Sequence, residues 1–337
     1  MNFKLWSLVF AFAFLAFAVF GCNKSLQTTY PHTPVDTVSA NNLKPQATQI
    51  IQEALADDNP LIRVNAIEVV ATTKQTRLMP KVQRLLKDKF VPVRFAAALA
   101  VGDLQYSLAK SEVAPLLQDE NENVKIAAIY AMSKLGSPNS FQLLRKAIAS
   151  NDQTVRANAA LLLGKSGDKS ALKFLYWTLQ REDSDDGVRL QTAEAIAMLG
   201  DERIFPKLWA MLISTYADDR IMGIRAMGAL ATVQARDALV TMLDDDIVEV
   251  RLAAAEQLGM LNSSAGELEV LDVFTKNLTA DLNKMGFERV NVLTALAIGR
   301  IGTPQLTNFL PQLLKNQSKS VRIAAAKAVF QCIELTR

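Results

Sequence analysis

The sequence predicts an all-α fold, an α-solenoid of about nine two-helix units with a period of 31 residues. Three observations lead there. A valine-arginine pair followed by an alanine-rich apolar run recurs, as at residues 92–102, 249–259 and 320–330. Anchoring each copy on the basic residue gives Arg63, Arg94, Lys125, Arg156, Arg189, Arg220, Arg251, Asn291 and Arg322. Six of the eight intervals are 31 residues, so the period does not depend on which copies are chosen. No segment alternates with the period of two that a half-buried strand requires.

The chain opens on an address. Lys4 precedes an uncharged apolar run, Leu5 to Phe20, which suits a signal-peptide hydrophobic region. It falls short of the roughly 20 residues of a membrane span. Val19, Phe20 and Gly21 then precede Cys22, an arrangement that resembles a bacterial lipobox. The resemblance implies a lipid on Cys22 and a bacterial envelope protein facing the periplasm or exterior. Asn23, in place of the aspartate that retains enteric lipoproteins at the inner membrane, leans toward the outer membrane. An uncleaved helical anchor and an ordinary signal peptide stay open as alternatives. Residues 1–21 are thus read as signal peptide, 22–42 as lipidated cysteine and polar tether, and 43–337 as the repeat domain. The tether, rich in Thr, Ser, Asn and Pro, reaches about 25 Å as a flexible coil. His32, the one histidine, lies in it.

Within each repeat, three columns carry the packing. One before the anchor stands an aliphatic β-branched residue in every copy but Asp219. Three after it stand small residues, from Ala66 to Ala325, and seven after it apolar ones, from Val70 to Val329. Offsets four apart share one helix face, and the small middle residue admits a neighbouring helix closely. Gly136, Gly167, Gly200 and Gly302 stand eleven after their anchors, where a helix ends in the left-handed cap conformation. A second amphipathic segment precedes each anchor, such as residues 78–88, 112–119 and 237–245. Stacked at 8–10 Å, nine repeats would span about 80 Å. Extra residues before Asn291, around 278–288, are expected to form a loop or a longer first helix.

An acidic turn, a valine-arginine pair and an alanine-rich helix together resemble HEAT-like repeats, particularly the short form of phycobilin lyases. The likeness covers nearly all of residues 43–337. It implies a structural ladder of acids and bases along the stack, here Asp57 and Arg63, Asp88 and Arg94, Asp119 and Lys125, Asp183 and Arg189, Asp245 and Arg251. Ser150, Ser214, Met285 and Asn316 interrupt it.

Chemistry is sparse. The net charge of +3 leaves no footprint for nucleic acid, and one histidine with two separate cysteines argues against zinc, haem or a disulfide framework. Cys332 reads as a small buried hydrophobe. Residues 164–170, GKSGDKS, lack the upstream glycine of a phosphate loop. The acidic runs at 182–186 and 243–249 are weak Ca²⁺ candidates, better explained as solvated turns at helix starts. Trp177 and Trp209 fall on first helices and suit core packing or convex-face anchoring.

What remains is surface. The column five after the anchor is charged in most copies, as an exposed row should be. Leu99, Tyr130 and Leu161 interrupt it with three consecutive apolar side chains, and Asp103, Lys134 and Lys165, nine after the same anchors, stand beside them as a charged rim. This row is the candidate partner-binding site; the alternative is that curvature buries it between helices. The expectation is a non-enzymatic scaffold or adaptor, without cofactor or metal, that binds another envelope protein or peptide and meets the membrane through Cys22. A cofactor-handling, lyase-like protein and a structural envelope spacer are the alternatives.

Overall fold

The computed structural model describes residues 39–137 and 140–335. The signal-peptide segment, Cys22 and His32 lie outside the described residues. So does most of the tether, but its expected end shifts: the first helix, α1, spans Ala40–Ala54, so residues 40–42 are helical.

Among the described residues there are helices and no strands. Nine long helices carry the anchors: α2 (Pro60–Thr72), α3 (Val91–Asp103), α4 (Glu122–Lys134), α5 (Gln153–Ser166), α6 (Asp186–Met198), α7 (Ala217–Leu230), α8 (Val248–Met260), α9 (Lys284–Ile301) and α10 (Lys319–Leu335). They form an inner layer. Shorter segments, often broken into 3₁₀ and α pieces such as Thr76–Leu78, Met79–Arg84 and Leu85–Lys87, form the outer layer. The core lies between the layers. Of the column before the anchor, Val93, Val124, Val250, Val290 and Val321 have no exposure. All nine small residues three after the anchor are buried.

The stack is closed. Helix α1 packs against α10, and α10 also meets α2, so the last repeat joins the first. Ala47 and Ile51 of α1 are wholly buried in one continuous core with Val321, Ala325 and Phe330 of α10. Burying an isoleucine contributes ~2 kcal/mol, so the joint has ordinary hydrophobic strength. The open span of about 80 Å expected from simple stacking gives way to a ring.

A column that the sequence reading passed over explains the curvature. Gly102, Gly164, Gly228, Gly259 and Gly299 each stand eight after their anchors, inside helices. Mid-helix glycine costs ~1 kcal/mol against alanine, so its recurrence needs a packing reason. A Cβ on Gly164 would stand 2.8 Å from the Cα of Ala195, and one on Gly299 2.6 Å from the Cα of Ala328. At Gly164, Gly259 and Gly299 neighbouring inner helices approach backbone to backbone near their C-terminal ends, which narrows the stack on that side and bends it toward closure.

The two rims differ. At one, the turns from outer to inner helices carry capping side chains: Asn59 accepts from the Leu61 amide, Asp152 from Thr154 and Val155, Asp185 from Val188. The acidic turns are thus caps and ladder partners. At the other rim, four inner helices end on glycines with φ of 68–80°, as the spacing predicted. The extra residues before Asn291 do not lengthen a first helix. They form turns and prolong α9, which starts seven before its anchor where the other inner helices start three before. The ion pair of Arg289 with Asp218 ties this extension to α7.

The ladder runs between repeats. Arg63 bonds Asp88 at 2.9 Å, Arg94 bonds Asp119 at 2.8 Å, Arg156 bonds Asp183 at 3.0 Å and Arg220 bonds Asp245 at 2.8 Å. Each arginine also donates to the carbonyl six residues before it. Where the next repeat lacks the aspartate the ladder deviates. Arg251 takes Glu269 at 2.7 Å, and Arg189 reaches only the exposed Asp186, at 3.6 Å. Asp57 of the first repeat takes Lys319 of the last, at 2.6 Å.

Candidate ligand site on the ring axis

Residues five after the anchors point away from the outer layer, toward the ring axis. They were expected on an exposed concave surface, and the ring overturns that. Tyr130 and Leu161 are each 2% exposed, and Leu99 is half-buried. The three do not form an exposed docking row; closure buries them among neighbouring inner helices. The charged members are buried too: Glu194, Arg225, Glu256 and Lys327 all keep 7% exposure or less.

Buried charge requires partners, and the ring supplies them from separate repeats. Glu194 accepts from Arg225 at 3.2 Å and from Gln191 at 2.7 Å. Lys327 of the last repeat meets Glu68 of the first at 2.9 Å. Glu256 lies among these pairs with Oε1 unbonded. Burial pushes its carboxyl up to about 7, against the pull of Lys327, Arg300 and Arg225. Burial likewise lowers the Arg300 guanidinium, opposed by Glu256. With its amide oxygen turned toward Arg300, Gln331 accepts from Nε at 3.0 Å and Nη2 at 3.2 Å.

A second cluster lies nearer the C-terminal ends of α3, α4 and α5. Asp103 gathers it: Oδ1 accepts from the Tyr130 hydroxyl at 2.8 Å, and Oδ2 pairs with Lys165 at 3.1 Å. Lys134 stands 5.7 Å from the Tyr130 ring centroid and donates to the Ser166 carbonyl at 3.3 Å. Burial and the charge of Lys165 lower the Lys134 ammonium, with Asp103 opposing. Burial, then Asp103, drives the Tyr130 phenol upward, so it stays a donor. Tyr130, Ser133, Lys134, Leu144, Ser166 and Asp168 line a pocket of about 220 Å³.

Tyr130, Lys134 and Lys165 therefore do converge, as buried polar neighbours and not as the rim of an apolar groove. Asp103 was read with Lys134 and Lys165 as a charged rim, but its role in joining them, and the Glu68–Lys327 and Glu194–Arg225 pairs, were not recognised from sequence. The signal was present, since the fifth-position column holds acids and bases in near-equal number, as buried pairing requires. Trp177 and Trp209 are 46% and 41% exposed on outer helices, as convex-face residues and not core. Arg181 lies 4.6 Å from the Trp177 ring centroid. Cys332 is buried, and burial pushes its thiol up to about 12, which fits a small hydrophobe.

The family description "HEAT repeats" matches residues 47–117, 105–163 and 146–221, together more than half of the chain. The chain belongs to the HEAT-repeat family. The uncharacterized phycocyanin operon protein Z of Pseudanabaena tenuis is 23% identical over 168 residues, 48% of this chain and 83% of that protein. The phycocyanobilin lyase subunit alpha of Picosynechococcus sp. is 31% identical over 129 residues, 35% of this chain and about half of its own length, 47%. Among solved structures, the complex of CpcE and CpcF of phycocyanin lyase from Nostoc sp. is 18% identical, with a TM-score of 0.40, covering 74% of this chain and 93% of that one. Human deoxyhypusine hydroxylase is 16% identical, with a TM-score of 0.38, covering 79% and 99%.

The lyase relative corrects one expectation. The missing phosphate loop and the lack of zinc or haem ligands suggested a protein that is not an enzyme. A 31%-identical lyase subunit removes that conclusion. Those motifs belong to other folds, whereas a helical repeat presents its chemistry from side chains on separate helices, which no short motif records.

Proposed function

We propose that this HEAT-repeat protein is lyase-like and cofactor-handling, holding a carboxylate of a linear tetrapyrrole beside Lys134. One observation carries the reading. Lys165 spends its charge on Asp103, whereas Lys134 makes no ion pair within 4 Å among the described residues and lines the pocket. A partly buried ammonium with only a carbonyl to bond favours an incoming anion. Lys134, Lys165 and Arg145 against Asp103 and Asp168 leave the cluster positive. A pocket of about 220 Å³ admits a side group and not a whole chromophore, so the rest of the ligand would lie along the ring surface. Tyr130 holds Asp103 in place and keeps Lys165 from competing for the ligand. The similarity to a phycocyanobilin lyase subunit supports the ligand class.

The test is a titration of purified protein with phycocyanobilin, read by visible absorbance and fluorescence. Wild type should change the spectrum at micromolar concentrations, and Lys134→Gln should weaken binding about tenfold, the loss of one charge-assisted hydrogen bond. The exposed control Lys110→Gln should not. No spectral change with wild type, or equal loss in both variants, contradicts the proposal.

The same proposal includes export and attachment through a lipid on Cys22, supported by Val19–Gly21 and the apolar run before them. Another envelope protein or peptide would then be the ligand's donor or acceptor. Radiolabelled palmitate should enter the wild-type chain and not Cys22→Ala; equal labelling contradicts this part.

A further inference from the structure

We infer that the rim carrying the inner-to-outer links docks on an anionic phospholipid surface. The argument is independent of the tetrapyrrole reading. Every outer segment begins at this rim and every inner helix ends there, because the two layers run antiparallel. Helix α1 starts here, at Ala40, so the chain joins the ring at this rim. Helix α10 ends here as well: Leu335 packs against the link residue Gly302.

The chemistry of the rim matches such a surface. Lys74, Arg77, Lys110, Lys169 and Lys173 stand exposed on it. Of the acids on this rim, Asp168 pairs with Arg145 and Asp201 with Arg203, while Glu202 and Asp237 stay exposed. A groove of about 680 Å³ opens beside two consecutive links, lined by Lys169, Lys173, Tyr176 and Arg203 among others, and none of its lining residues is acidic. The opposite rim carries the acidic capping turns, where Asp57, Asp88, Asp119 and Asp245 are each paired with a base, Lys319, Arg63, Arg94 and Arg220.

Apolar tips accompany the cations. Leu108, Val233 and Leu268 are 73%, 67% and 71% exposed, each in the first turn of an outer segment. Leu108, two residues from Lys110, and Val233, three from Arg236, suit the boundary between headgroups and acyl chains, where basic side-chain stems lie along apolar surface with their charged ends on phosphate. A protein partner would be expected to need one contiguous apolar patch, and these tips are separated along the rim.

The test uses the full chain on vesicles, with an amine-acetylating reagent and mass spectrometry of each lysine. On phosphatidylglycerol vesicles at low salt, Lys169 and Lys173 should react several-fold more slowly than on phosphatidylcholine vesicles. Lys87 and Lys89, exposed on the opposite rim, should not change. High salt should remove the protection. Replacing Leu108, Val233 and Leu268 together by serine, all exposed and so tolerated by the fold, should reduce it. Equal reactivity on both vesicle types overturns the inference, as does equal protection of both rims. If inorganic phosphate alone protects Lys169 and Lys173 as well as vesicles do, the groove binds small anions and the membrane assignment fails.

Discussion

Lys327 and Glu68 stand 259 residues apart in sequence and 2.9 Å apart in space. Lys327 is 2% exposed. The pair joins the ninth repeat to the first across the axis and turns a linear array into a ring.

Removing one member of that pair leaves a buried charge without its partner. Lys327→Met should destabilise the fold by about 3 kcal/mol, because Glu68 and Glu256 both lose their nearest cation. Adding Glu68→Gln should recover much of the loss. Denaturant unfolding of wild type, both single variants and the double variant measures the coupling. Additive effects would show that the two side chains do not interact.

Glu256 makes stability depend on pH in a direction opposite to that of ordinary paired carboxylates. Its folded value lies near 7 against 4.5 for the free side chain, through burial. Between those values the folded chain holds a proton that the unfolded chain releases, so stability falls as pH rises and levels off above about 7. The groups facing it are Arg225 on α7, Arg300 on α9, Lys327 on α10 and Glu68 on α2. Glu256→Gln removes the cost of ionisation, at most ~3 kcal/mol. The Tm of the variant minus that of wild type should rise from near zero at about pH 5 to a positive value at about pH 8. A difference that stays flat, or falls, contradicts the assignment.

The glycines eight after the anchors narrow one side of the stack. Gly299→Ala places a methyl 2.6 Å from the backbone of Ala328 and should cost about 1–3 kcal/mol. Gly136→Ala meets no atom within 4 Å and pays only for its left-handed conformation, about 1 kcal/mol. Thermal unfolding of the two variants should rank them in that order, and the reverse order would remove the glycine column as the source of curvature.

Cys332 should stay silent. Burial disfavours its thiolate, and only the thiolate reacts. A thiol reagent near neutral pH should modify it at the rate of global unfolding and quickly in denaturant. Fast native-state labelling of Cys332 would mean that α10 opens independently, and with it the ring.

Much of this fold was legible in the sequence. The columns at one before, three after and seven after the anchor predicted the buried faces, with Asp219 and Met132 as the half-buried departures. Glycines eleven after the anchor predicted the left-handed caps. The axis was not legible. Glu194 and Arg225 lie one repeat apart and Glu68 and Lys327 lie at opposite ends of the chain, so each looks like a solvated surface charge until the ring brings its partner. Closure itself rests on a bend built up along the stack. The glycines that set it resemble helix-weakening residues unless their neighbours are known. Tyr130, Lys134 and Lys165 were selected for the right region and the wrong reason, because Asp103, the acid that unites them, stands in the same ninth-position column as the two lysines and reads there as one more solvated rim charge.

Ring closure is tested most directly by a zero-length carbodiimide. Lys319 and Asp57 lie 2.6 Å apart across the joint, with the lysine side chain 57% exposed. Treated at dilution and digested, the monomeric protein should yield a peptide joining Lys319 to Asp57 by an isopeptide bond, and Lys319→Arg should abolish it. If the joined peptide appears only in dimers, or not at all while other short pairs such as Lys276 with Asp272 are captured, the first and last repeats do not meet and the chain is an open solenoid.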